Sequence, residues 1–119
     1  MLIKSIKIIA LLGLVFLMTN CNSTPIKTSS LTAKAYGDNR VKLRWQMNTS
    51  VTEADDIYIE RSVDGNQFDV INAVSCPATY LDDFQLQQKT TYWYRVRLYR
   101  LNGGFANYSD VASVKTSSQ

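Results

Sequence analysis

The sequence predicts an all-β protein, a seven-stranded antiparallel sandwich preceded by an N-terminal segment of different character. Three observations predict it. After residue 30 apolar and polar residues alternate at period two, turn residues break that alternation at regular spacing, and no stretch carries a convincing helical period. At 119 residues the chain has room for one domain.

The N-terminal segment is set aside first. Lys4 and Lys7 form a basic head, and Ile8 to Met18 is an uncharged apolar run of eleven residues. That run is about half of the ~20 residues a helix needs to cross a bilayer. A basic head, a short apolar centre and small or polar residues beyond it read as a secretory signal peptide over residues 1–20, outside the fold. The alternative, an uncleaved membrane anchor, needs a longer apolar stretch. Removing Lys4 and Lys7 from the thirteen cations leaves eleven against ten acids, so the formal +3 of the whole chain becomes +1. A nearly neutral domain exerts no general pull on nucleic acid, which is excluded as a partner.

The apolar run ends in FLMTNCNSTP, with Cys21 at the junction. LMTNC resembles the lipobox of bacterial lipoproteins, in a loose form similar to that of Bacteroidetes. Met18 takes the usual leucine's place, Leu17 lies one position early, and Asn20 stands where Gly, Ala or Ser is commonest. The resemblance implies that Cys21 becomes the first residue of the mature chain, with a diacylglyceryl group on its thiol and a further acyl chain, such as palmitate, on its amino group. Each buried CH₂ contributes ~0.8 kcal/mol, and two or more chains anchor firmly where one is marginal. Export from the cytoplasm and a lipid anchor in the cell membrane or outer membrane follow. Asn22, where an inner-membrane retention signal would carry aspartate, favours the outer membrane. The alternative is a secreted protein with a free cysteine near its terminus. Residues 21–30 then read as the lipidated cysteine and a polar, flexible tether, reaching on the order of 20 Å when extended.

The strands follow in order. A first strand falls near Leu31 to Tyr36. VKLRW (41–45) places Val41, Leu43 and Trp45 on one face and Lys42 and Arg44 on the other. DIYIERSVDG places Ile57 and Ile59 opposite Tyr58 and Glu60, and Asp64-Gly65 supplies a turn able to adopt positive φ. Phe68 to Val74 is a further apolar run and TYLDD (79–83) a short one. TTYWYRVRLYRL (90–101) is the longest strand, Asn102-Gly103-Gly104 turns the chain, and YSDVASVKT (108–116) is the last. The inward set, Val41, Leu43, Trp45, Ile57, Ile59, Tyr94, Val96 and Leu98, suffices for the ~10 Å core between two sheets.

Over residues 31–117 this ordered set resembles the fibronectin type III family, an immunoglobulin-like sandwich. Trp45 matches the family's core tryptophan on its second strand, and IERSVDGNQF (59–68) looks like its third strand and following turn. Leu86 and Tyr92, six residues apart, match the leucine and the tyrosine-corner tyrosine. YRV (94–96), NGG and YSDVASVKT are similar to many bacterial members. Gln87-Gln88-Lys89 departs from the pattern, which more often has Pro or Gly there. The resemblance implies structural roles for Trp45, Leu86 and Tyr92, the Tyr92 hydroxyl bonding to main chain near Leu86. It also implies a non-catalytic module for protein–protein interaction or adhesion.

The residues themselves offer little chemistry. The chain has no histidine, which removes Ser-His-Asp and Cys-His mechanisms and the commonest metal ligand. No enzyme, no metal site and no cofactor beyond the covalent lipid on Cys21 are expected. Cys76 is read as a small apolar residue at a strand edge rather than an intermolecular disulfide or a reactive thiol. Asp55-Asp56 and Asp82-Asp83 are read as solvated turn residues rather than calcium ligands. The most suggestive feature is the outward face of the longest strand, Trp93, Arg95, Arg97 and Tyr99, joined by Tyr58 and Glu60 from the strand beside it. Trp, Tyr and Arg dominate binding hot spots. Such a face suits an envelope or extracellular protein, or a glycan stacking on Trp93 and Tyr58. The same residues could equally form a cross-strand ladder in which arginine stems cover aromatic faces and bind nothing, leaving a passive spacer. Arg40, Lys42 and Arg44 are expected on the opposite sheet.

Overall fold

The computed structural model describes residues 28–118. The expected signal peptide, Cys21 and most of the expected tether lie outside the described residues. Eight strands run in order: β1 Thr28–Tyr36, β2 Arg40–Met47, β3 Asp56–Ser62, β4 Asp69–Ser75, β5 Tyr80–Asp83, β6 Thr91–Arg100, β7 Gly104–Phe105 and β8 Ala112–Lys115. One sheet has the order β1-β2-β5. The other has the order β4-β3-β6, with β7 and β8 both paired along the far side of β6.

Every strand pairing is antiparallel, and the two sheets face each other as a sandwich. Two boundaries differ from the sequence reading. β1 begins at Thr28, three residues inside the expected tether, because β2 continues past Trp45 and offers Gln46 and Met47 as backbone partners to Ser30 and Thr28. The strand expected over 108–116 is shortened to β8, and a separate two-residue β7 precedes it at Gly104–Phe105. Between them Ser109 replaces a ladder bond with its side chain: its hydroxyl accepts the Val96 N–H at 3.0 Å and donates to the Asp110 carbonyl, while its own N–H donates to the Val96 carbonyl at 2.8 Å.

Alternation decides what is buried. β3 and β6 pair without interruption from Asp56 opposite Tyr99 to Ser62 opposite Trp93, so Ile57, Ile59, Tyr94, Val96 and Leu98 share the inner face. They meet Val41, Leu43 and Trp45 of β2, and all eight of these residues are buried. Trp45 Nε1 donates to the Ala78 carbonyl at 3.0 Å, which satisfies the one polar atom of its side chain. Cys76 is a core residue rather than an edge residue, 3% exposed; burial pushes its thiol up, with the charges of Asp55 and Asp56 adding to the effect. A thiol held protonated in this way is a poor nucleophile. Leu86 and Tyr92 are buried too, and the Gln87 N–H donates to the Tyr92 hydroxyl at 2.9 Å. Beside this corner, where the sequence lacks Gly or Pro, Lys89 itself takes the left-handed conformation at φ 54° and donates its N–H to the Ser117 carbonyl. Both sheets and the core cluster of the described residues are formed between Thr28 and Lys115.

A polar link joins the sheets. Asp83, expected in a solvated turn, is 8% exposed on β5 and points toward β3 and β6. Arg61 Nη1 donates to both of its carboxylate oxygens, at 3.0 and 2.9 Å, and the Tyr94 hydroxyl donates to Oδ2 at 2.8 Å. Burial, reinforced by this hydrogen bond and by the Asp83 charge, pushes the Tyr94 phenol far above its ordinary value.

Two outcomes follow. Asp83→Leu strands the Arg61 guanidinium and the Tyr94 hydroxyl without an acceptor and lowers stability by about 2–3 kcal/mol, read by urea denaturation. The folded pKa of Tyr94 exceeds the unfolded value, so its contribution is complete below about pH 10 and is lost as pH rises toward the folded value. In an alkaline titration of stability, Tyr94→Phe therefore shows a shallower decline above about pH 10 than the parent; an unchanged slope would refute the assignment.

Candidate functional site

The register of β3 against β6 places Glu60 opposite Arg95, Tyr58 opposite Arg97 and Ser62 opposite Trp93. The six residues singled out in the sequence, Tyr58, Glu60, Trp93, Arg95, Arg97 and Tyr99, thus share the outer face of the five-stranded sheet. Three aromatic residues that the sequence reading did not place there join them. Phe68 comes from the segment leading into β4, Phe105 from β7 and Tyr108 from the gap between β7 and β8.

These rings and guanidinium groups stack alternately. Arg95 lies 4.2 Å from the centroid of Phe68 and 3.7 Å from that of Tyr108; Arg97 lies 4.3 Å from Tyr108 and 3.8 Å from Phe105. At such distances a guanidinium is attracted by the ring quadrupole, and its stem covers apolar surface. Tyr58 and Tyr99 close the end of the stack: Phe105 meets Tyr58 edge-on at 5.0 Å and Tyr99 at 4.8 Å.

Glu60 is the correction to the expected face. It is only 4% exposed, roofed by its neighbours, and presents nothing to a partner. Arg95 Nε donates to Oε1 at 2.8 Å and the Tyr108 hydroxyl to Oε2 at 3.0 Å, which makes a charge outside the core tolerable in burial. Trp93 is half-buried against the β3–β4 turn, where a Cβ on Gly65 would come within 3.3 Å of its indole. Gly65 itself has φ 82°, the conformation the Asp-Gly dipeptide predicted. Asp64 accepts the N–H groups of Asn66 and Gln67 and the Ser62 hydroxyl, which hold its carboxyl below the usual range.

Arg97 differs from Arg95. Among the described residues it has no carboxylate partner, and its Nε is buried without a hydrogen bond. It is held by rings alone. The half-exposed Phe105 beside it makes this end of the ladder the part that faces solvent with apolar surface and an uncompensated cation together.

One member of the other acidic pair is equally committed. Asp55 is buried, accepts the Thr52 N–H at 3.0 Å and lies 3.6 Å from Arg100 Nη1, so it is no more a solvated turn residue than Asp83. Among the described residues no three His, Cys, Asp or Glu side chains gather as a metal site would require. Open recesses of about 450 and 330 Å³ lie at the β1–β2 ladder and beside Arg100, both away from the arginine stack.

The two arginines should answer differently to removal. Arg95→Ala leaves the Glu60 carboxylate buried with one donor and costs about 2–3 kcal/mol. Arg97→Ala forfeits only stacking, about 1 kcal/mol. Equal losses in thermal or urea denaturation would contradict the pairing of Glu60 with Arg95 rather than Arg97.

No protein-family model and no curated protein matches the sequence. Solved structures do match. A β-1,2-glucanase from Parabacteroides distasonis aligns with 82% of this chain at 20% identity and a TM-score of 0.68; the chain spans 14% of that protein. The sixth fibronectin type III domain of human fibronectin type III domain containing protein 3 aligns with 82% of this chain and 90% of its own at 18% identity, TM-score 0.67. Another fibronectin type III domain of a human protein of that name gives 21% identity over 82% of this chain and 90% of its own, TM-score 0.65. With two antiparallel sheets, a buried Trp45 and the Tyr92 corner, the described residues have the fold of a fibronectin type III domain.

Proposed function

We propose that the protein is a lipid-anchored, non-catalytic module of the bacterial cell envelope that binds another envelope or extracellular protein through the Arg97 end of the arginine–aromatic ladder. The observation that carries the binding reading is Arg97, a cation clamped between Phe105 and Tyr108 with no acid among the described residues, beside rings that remain half-exposed. A carboxylate of a partner would complete it, and the surrounding rings supply apolar contact. The fibronectin type III fold supports a module of this kind. The non-catalytic reading is supported by the lack of histidine and by the commitment of Asp55, Glu60 and Asp83 to structural partners. Anchoring rests on the lipobox-like LMTNC and the signal-like head.

Two measurements test it. The intact mass of the protein recovered from bacterial membranes should equal residues 21–119 plus acyl chains, and the Cys21→Ala variant should lose that form; cleavage elsewhere without lipid would sink the anchor. A photoreactive side chain in place of Phe105 should capture a discrete envelope protein, with capture reduced at least about fivefold by Arg97→Ala, as loss of one charge-assisted contact of ~1 kcal/mol requires. The same side chain in place of Lys115 should capture nothing. A change in Trp93 emission on adding glycans, without any protein adduct, would replace this reading with a glycan-binding one.

A further inference from the structure

We propose that the outer face of the three-stranded sheet, on the opposite side of the sandwich from the ladder, is a docking surface for an anionic phospholipid bilayer. Lys34 of β1 and Arg40, Lys42 and Arg44 of β2 all lie on this face, since Ala33, Ala35, Val41 and Leu43 take the inner positions between them. The two sheets differ in how many of their cations are paired, Arg97 of the five-stranded sheet having no carboxylate among the described residues. On the five-stranded sheet Arg61, Arg95 and Arg100 each have a carboxylate within ion-pair distance. None of the four cations on the three-stranded sheet has one among the described residues.

Lys34 and Lys42 stand directly opposite each other across the β1–β2 ladder, an arrangement that destabilises a sheet. Asp82, across from Lys42 on β5, forms no ion pair with it, and one Asp82 carboxylate oxygen is buried without a partner. The cations rest instead beside aromatic rings. Lys34, Arg40 and Lys42 surround Tyr36 at 5.8, 5.5 and 5.1 Å, Arg40 also approaches Phe84 at 5.7 Å, and Arg44 lies 5.8 Å from Tyr80. Tyr36, Tyr80 and Phe84 are 40, 57 and 55% exposed.

Unpaired cations interleaved with exposed aromatic rings on a flat surface match the headgroup region of a bilayer, where charge meets phosphate and rings enter the acyl boundary. Position favours the bilayer over other polyanions. β1 begins at Thr28, so under the anchor reading its first residue lies within about 25 Å of the lipid on Cys21. The proposal uses that reading for reach alone; the surface chemistry stands without it.

The test uses residues 22–119, which contain all eight described strands and lack Cys21, so its result is independent of the anchor. Co-sedimentation with vesicles of phosphatidylcholine and phosphatidylglycerol should show binding that weakens steeply with added salt and is absent with phosphatidylcholine alone. Lys42→Gln and Arg44→Gln should each weaken it about fivefold, while Lys115→Gln on the other sheet leaves it unchanged. Lys42→Gln should also raise the melting temperature by relieving Lys34, so weakened binding there is not unfolding. Absence of binding to the anionic vesicles, an equal effect of Lys115→Gln, or binding to a polyanion such as single-stranded DNA in preference to vesicles would overturn the proposal.

Discussion

The uninterrupted pairing of β3 with β6 is the constraint on which everything else rests. It extends over seven residue pairs and fixes, at every one, which side chain turns toward β2 and which turns to solvent. A slip of β6 by one residue would send Arg95 and Arg97 into the core and Val96 and Leu98 out of it, so the register is specified far more strongly than any single contact specifies it. The core and the ladder are two consequences of the same alternation.

The inward half of that alternation was legible in the sequence, because apolar side chains at period two leave little choice. Val41, Leu43, Trp45, Ile57, Ile59, Tyr94, Val96 and Leu98 are all buried as their spacing requires. The outward half was legible only as a list of residues on one face. That Phe68, Phe105 and Tyr108 would slot between the arginines depends on three segments from separate parts of the chain, and the Ser109 break that delivers Tyr108 leaves no periodic trace. Asp83 was misread for a related reason. A carboxylate at a strand end usually meets water, and only the approach of Arg61 and Tyr94 from the other sheet makes its burial tolerable. Local pattern decides what must be hidden, whereas pairing between distant polar groups decides which of them can be.

The two outer faces show contrasting solutions to the same problem. Arginine beside aromatic rings occurs on both, but Glu60 neutralises one ladder from within, where it holds Arg95 in a fixed orientation and is itself covered. The other face leaves its four cations without an ion pair among the described residues and its rings exposed. A ladder closed by its own carboxylate is rigid and largely inert over most of its length. A face of mutually repelling cations holds unspent attraction for anything anionic.

The gap between β7 and β8 has a consequence for the outer boundary of β6. An uninterrupted strand along β6 would present a row of unpaired N–H and carbonyl groups to any neighbouring chain, a template for strand addition. With β7 only two residues long, β8 only four, and Ser109 turning its hydroxyl inward between them, the longest available run of that outer boundary is too short to recruit another copy. That boundary is therefore closed to strand addition, which leaves β1 and β4 as the long edges of the two sheets.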